Sequence, residues 1–100
     1  MEIVVNRAGV KLVEPDNFTG FRVAFAGERR ADLARALAPY GRLADDGNHA
    51  FISRRGVEAL AGERATDAAW RTSLDEMIGY AVSRGWTDES GFIRAHIEAF

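Results

Sequence analysis

The sequence predicts an α+β fold of two layers, in which a small, mainly antiparallel sheet is covered on one face by helices and the chain ends in a helical pair. Two observations predict it. Apolar residues alternate along the first quarter of the chain, which is typical of strands, and they recur at helical spacing in most of the remainder. Only short turn sequences separate these segments, so residues 1–100 are predicted to form a single α+β domain.

The first two strands are predicted to form a β-hairpin. The four residues Asn6-Arg7-Ala8-Gly9 have the composition of a hairpin loop and end in glycine. If this loop sets the register, Val5 faces Val10 and Ile3 faces Leu12. All four side chains then point to one side of the sheet, where the core is expected.

The middle of the chain is predicted to add three strands and two helices. Asp46-Gly47 is a strong turn signal between two short strands. Ser53 is the expected N-cap of a short helix that ends at Gly62. The elements before this helix are, in order, a strand over 21–26, a helix from Glu28 that stops at Pro39, and two short strands at 42–44 and 49–52.

The C-terminal third is predicted to hold an antiparallel pair of helices. Thr66 is the expected N-cap of the longer one, over residues 67–84, and Gly85 is its expected stop. Thr87 is the expected N-cap of the final helix. The apolar face of this final helix is formed by Phe92, Ile93, His96, Ile97 and Phe100.

The composition is that of an ordinary globular domain. The 100 residues include 13 Lys and Arg against 15 Asp and Glu, for a net charge of -2, and 47% are hydrophobic. This balance excludes a disordered chain, and the absence of cysteine excludes a disulfide scaffold and a Cys-based zinc module. We expect no nucleic-acid partner for an acidic chain with a single lysine, Lys11.

Location is predicted from the same composition. No apolar run is long enough to span a membrane, and the first residues do not match a secretory signal, so no membrane partner and a cytoplasmic location are predicted. The Ala-rich, Arg-rich usage is typical of a GC-rich genome, which we interpret as bacterial.

Neither histidine stands in a recognisable catalytic or metal-binding motif. His49 follows Asp45 and Asp46, and we interpret this cluster as a solvated hairpin turn, because a zinc site would need further ligands. His96 lies on the predicted apolar helix face, and we interpret it as a packing residue. We therefore predict no catalytic residue, no metal ion and no cofactor.

The favoured functional interpretation is a small accessory module without catalysis, which binds another copy of itself as a homo-oligomer or binds another protein. The last residue, Phe100, is aromatic, and a terminal aromatic residue frays unless it docks on another surface. Gly79, inside a predicted helix, costs about 1 kcal/mol relative to Ala, which suggests that something approaches the backbone there. The candidate interface consists of Trp86, Phe92, Ile93, Ile97 and Phe100.

The alternative interpretation is a small-ligand-binding protein or minimal enzyme with a pocket between the sheet and the helices. His96 would act as the base, and Tyr80 or Arg71 would orient the ligand. The favoured interpretation assumes that no reactive group of side chains assembles. Convergence of His49 and His96 in a shared cleft beside carboxylates would overturn that assumption.

Overall fold

A computed structural model describes residues 1–99, which form a mixed α+β fold with a curled sheet of six strands and three α-helices. The α+β content predicted from the sequence is thereby confirmed. A 3₁₀ turn at Gly62–Thr66 lies between the second and third helices. The strands are β1 (Glu2–Asn6), β2 (Gly9–Val13), β3 (Arg22–Phe25), β4 (Gly41–Leu43), β5 (His49–Ile52) and β6 (Ile93–Ala99), and the helices are α1 (Arg30–Leu37), α2 (Arg54–Ala61) and α3 (Ala68–Ser83).

The sheet is mixed, with the strand order β2-β1-β3-β6-β5-β4. The prediction of a mainly antiparallel sheet is wrong in this respect, because β3 runs parallel to both of its neighbours, β1 and β6. The chain leaves β2 and returns through residues 14–21 to the start of β1, where the Arg22 amide donates to the Met1 carbonyl. This return makes β3 run in the same direction as β1.

Both predicted hairpins are confirmed. In the first, Val5 pairs with Val10 and Ile3 with Leu12, as the loop length predicts. In the second, β4 and β5 pair in antiparallel fashion. Gly47, in the turn between them, has a φ of 71°, a left-handed conformation that glycine adopts without strain.

Of the two N-caps predicted for α2 and α3, Ser53 is confirmed, and the cap of α3 lies one residue beyond the predicted Thr66. The Ser53 hydroxyl accepts the Gly56 amide at 2.9 Å and caps α2, as predicted. The prediction of Thr66 as the cap of α3 is wrong. Asp67 takes that position and accepts the Ala69 amide at 3.0 Å, because the 3₁₀ turn occupies the chain up to Thr66.

The segment predicted as a final helix is the strand β6, so the predicted C-terminal helical pair is wrong. Along β6 the burial alternates: Ile93, Ala95 and Ile97 are buried, and the residues between them are exposed. Thr87 is therefore no helix cap, and it pairs with Ile93 in an isolated bridge. The four-residue spacing of Phe92, His96 and Phe100 suggested a helix, but the period-two alternation of the aliphatic residues describes the segment. Phe100 lies outside the described residues.

The core lies on the face of the sheet that carries the aliphatic residues. Ile3, Val23 and Ile97 are register partners on adjacent strands and so share this face. The helices contribute residues to the same buried cluster: Leu33, Leu37, Val57, Trp70 and Leu74. None of the helices in residues 1–99 is long and apolar enough to cross a membrane.

Candidate functional site

The opposite face of the sheet brings the two histidines together. His49 on β5 is the register partner of His96 on β6, and directly opposed residues of antiparallel strands project to the same side. Their ring centroids lie 5.6 Å apart, and the ring planes meet at 67°. The pair therefore follows from the insertion of β6 beside β5.

The ring of His49 is oriented by a carboxylate from its own hairpin. Oδ2 of Asp46 lies 2.9 Å from Nδ1 of His49, and Oδ1 accepts the amide of Asn48 at 2.8 Å. The Asn48 amide and, after it, the His49 ring lower the pKa of Asp46 below its ordinary value, because both favour the ionised carboxylate. This contact leaves Nε2 of His49 without a hydrogen-bond partner in residues 1–99.

A cleft open to solvent lies beside the histidine pair. Its volume is about 660 Å³, within the range of roughly 300–1,000 Å³ that small-molecule sites occupy. The cleft is bounded by the loop 18–21, by the second half of α3, by Trp86 and by the start of β6. Its lining is largely aromatic and aliphatic, with Phe18, Phe21, Met77, Tyr80, Ala81, Trp86 and Ile93, and it also includes Thr19, Gly20, His49, Arg94 and His96.

Aromatic and cationic side chains at the end of α3 pack against each other. The rings of Tyr80 and Trp86 meet edge to face, with centroids 5.8 Å apart. The guanidinium groups of Arg84 and Arg94 lie 5.4 and 5.7 Å from the centroid of Trp86. Such cation–π contacts contribute roughly 0.5–1 kcal/mol each at exposed sites, so they help to hold the orientation of Trp86.

Apart from the phenol of Tyr80, the ionisable lining of the cleft in residues 1–99 is basic. Arg94, His49 and His96 line it, whereas no Asp or Glu does so in the described part of the chain. Arg94 forms no ion pair with a side-chain carboxylate of residues 1–99. The nearby Arg22 differs, because it is engaged by Glu2 and Glu98. Arg94 is therefore available to an anionic group that enters the cleft.

The residues of the alternative sequence interpretation divide into two groups. His96 and Tyr80 line the cleft. Arg71 does not, because its guanidinium lies 3.4 Å from the Glu58 carboxylate and donates to the Ala65 carbonyl. The structure thus brings His96 and Tyr80 to one site and leaves Arg71 elsewhere.

The five residues of the candidate interface do not share one exposed face. Ile93 and Ile97 are buried in the core face of the sheet. Trp86 and Phe92 are half-buried, and Trp86 and Ile93 contribute to the wall of the cleft. Phe100 is outside the residues that the structure describes.

The sequence led us to interpret His49 as part of a solvated hairpin turn, and it did not single out Arg94, yet both residues line the cleft. The Asp-Gly turn correctly predicts that His49 begins a strand. The sequence does not predict the pairing of His49 with His96, because two helices separate β5 from β6 and their contact is non-local. Arg94 lines the cleft because β6 is a strand, in which alternate residues project away from the core.

Two other arrangements carry no assignment. Within residues 1–99, no group of three or more His, Asp or Glu side chains is placed to hold a metal ion. A second cleft of about 600 Å³ lies where β1 and β3 end and α1 begins. Its charged lining is mixed, with Arg7 and Arg29 beside Glu28 and Asp32, so it favours neither sign of ligand charge.

Comparison of the chain with models of protein families, with curated proteins and with solved structures finds no significant match. Function is therefore argued from the geometry of the cleft.

Proposed function

We propose that this protein binds a small ligand with an aromatic body in the cleft beside His49 and His96. The observation that supports the proposal most is the pairing of these two rings, 5.6 Å apart, in the wall of a largely aromatic cleft. Small-molecule sites typically combine apolar walls with a few convergent polar groups. The interpretation of the protein as an accessory module without catalysis assumed that no such group of polar side chains comes together.

Aromatic side chains from two separate segments favour an aromatic body. Phe18 and Phe21 come from the loop before β3, and Tyr80 and Trp86 come from the end of α3 and the segment after it. An aromatic ligand would exchange water for contact with rings from both segments. Each well-placed aromatic pair adds about 0.5–1.5 kcal/mol beyond the burial of area.

The proposal is tested with 2-naphthoate and 2-naphthalenemethanol as probes in saturation-transfer NMR. A ligand efficiency of about 0.3 kcal/mol per non-hydrogen atom gives probes of this size a Kd of about 1 mM, and we expect at least one of them to bind this tightly. Failure of both to bind at several millimolar overturns the proposal.

A matched pair of variants locates the binding. Tyr80 and Val82 lie on α3 and are each 58% exposed, but only Tyr80 lines the cleft. We expect Tyr80→Ala to weaken the binding of the probes and Val82→Ala to leave it unchanged. Equal effects of the two substitutions would contradict binding in this cleft.

A second candidate function is self-association, which the sequence favoured. It is supported by the exposure of Val82, a large hydrophobic residue of α3 that lies outside the cleft and faces away from Tyr80. Light scattering coupled to size exclusion tests it: we expect a dimer at high micromolar concentration that Val82→Asp converts to a monomer. A wild-type protein that stays monomeric at that concentration overturns this candidate.

A further inference from the structure

We propose that the ligand of this cleft is an aromatic anion whose carboxylate or phosphate group is bound by Arg94, His96 and His49. This inference rests on the proposed binding function and adds the charge of the ligand. It follows from the chemistry of the lining: among residues 1–99, every ionisable group that lines the cleft, apart from the phenol of Tyr80, is basic.

Within residues 1–99, the carboxylates near the histidine pair already have hydrogen-bond or ion-pair partners. Asp46 accepts two backbone amides and contacts Nδ1 of His49. Glu2 and Glu98, on the same face of the sheet, both contact Arg22. In contrast, Arg94 has no carboxylate partner within residues 1–99, and its contact is the ring of Trp86. Within residues 1–99, Arg94 is thus the charged group of the cleft lining that has spare hydrogen-bond donors.

The three basic groups are close enough to act on one anionic group. The rings of His49 and His96 are cross-strand neighbours, with centroids 5.6 Å apart. Arg94 precedes His96 by two residues on β6, so the two side chains leave the strand on the same face, about 7 Å apart along it. A carboxylate or phosphate has several acceptor oxygens and can take donors from more than one of these groups.

The surroundings of the histidine pair favour an anion over a neutral ligand. Within residues 1–99, the ionisable and charged groups that face the pair are Asp46 from the hairpin turn, Arg22 from β3 with its partners Glu2 and Glu98, Arg94 from β6 and the phenol of Tyr80 from α3. The loop 18–21 contributes no ionisable side chain. Because Arg94 has no carboxylate partner among these groups, an aromatic carboxylate should bind more tightly than a neutral analogue of the same shape.

The test compares 2-naphthoate, 2-naphthyl phosphate, 2-naphthalenemethanol and 2-naphthylmethylamine by NMR titration of the intact protein. We expect the tighter acid to bind at least tenfold more tightly than the neutral alcohol in the same buffer. The acid that binds more tightly identifies the anionic group. The amine, which carries a positive charge, is expected to bind most weakly.

Two substitutions complete the test. Arg94→Gln should remove most of the advantage of the acid and leave the alcohol unchanged, and His96→Gln should reduce the same advantage. Arg35→Gln, on α1 and outside the lining of the cleft, is the control and should change neither.

The outcomes separate the two proposals. Equal affinities of acid and alcohol would overturn the anion inference and leave the proposed binding function standing. A preference for the amine would likewise overturn it. If no probe binds, the proposed function fails, and the inference fails with it.

Discussion

The indole Nε1 of Trp70 donates a hydrogen bond of 2.8 Å to the carbonyl of Pro15, 55 residues earlier in the chain. The ring of Phe18, just beyond Pro15, lies 5.8 Å from the ring of Trp70. Phe18 lines the cleft, and so does Tyr80 on the same helix as Trp70. The Trp70–Pro15 contact therefore holds together two of the segments that bound the cleft.

Trp70→Phe tests this anchor. The substitution keeps a buried aromatic ring but removes the donor, so the Pro15 carbonyl loses its partner. We expect the free energy of unfolding to fall by about 1–2 kcal/mol, measured by urea denaturation. Trp86→Phe is the matched control, since the indole nitrogen of Trp86 donates to no residue of the described chain. If the two variants lose the same stability, the hydrogen bond is not what anchors α3.

Ala95→Glu distinguishes the strand β6 from the helix that the sequence predicted. On that helix Ala95 would lie away from the apolar face, whereas in the structure it is 0% exposed between β3 and β5. A carboxylate there would be buried without a partner. We expect a loss of at least about 3 kcal/mol in the free energy of unfolding, or failure to fold.

The control for this substitution is Ala99→Glu. Ala99 projects to the same side of β6 but is exposed at the end of the strand. We expect its effect on the same measurement to stay within about 0.5 kcal/mol. Tolerance of Ala95→Glu would argue against the strand.

The elements that the sequence predicts well are local ones. The loop at residues 6–9 sets the pairing of Val5 with Val10, and Ser53 caps α2, because neighbouring residues supply both interactions. The cleft depends instead on where β6 enters the sheet. In residues 92–100 a helical spacing of aromatic residues competes with a strand spacing of aliphatic ones, and tertiary pairing with β3 and β5 decides between them. Without that pairing, His49 and His96 remain two unrelated histidines.

The carboxylate of Asp46 should make stability depend on pH in acid. Its pKa in the folded chain lies below the ordinary value of 3.8, chiefly because it accepts the Asn48 amide. A lowered folded pKa means that the ionised group stabilises the fold above the ordinary pKa, and that this contribution is lost as the pH falls through the folded value. We therefore expect Asp46→Asn to have a lower Tm than the wild type at pH 6, with the difference closing towards about pH 2.

Thermal unfolding monitored by circular dichroism across this range checks the prediction. Asp45→Asn is the control, because the neighbouring Asp45 is exposed and accepts no hydrogen bond in the described chain. A difference in Tm between Asp46→Asn and the wild type that persists unchanged at pH 2 would show that lost geometry, rather than lost charge, is responsible.

Two helical glycines should respond to alanine with opposite signs. The sequence suggested that a neighbour approaches the backbone at Gly79, but a Cβ built there meets nothing within 4 Å. Gly79→Ala should therefore stabilise the protein by about 1 kcal/mol, the difference in helix propensity. At Gly56 the added carbon would lie 2.5 Å from the Tyr40 carbonyl oxygen and 2.9 Å from its Cα, so the backbone before β4 would have to move. Gly56→Ala should lower the Tm, and Gly79→Ala should raise it. A rise in both variants would contradict the prediction, because it would mean that the backbone at Tyr40 moves to accept the added carbon without destabilising the protein.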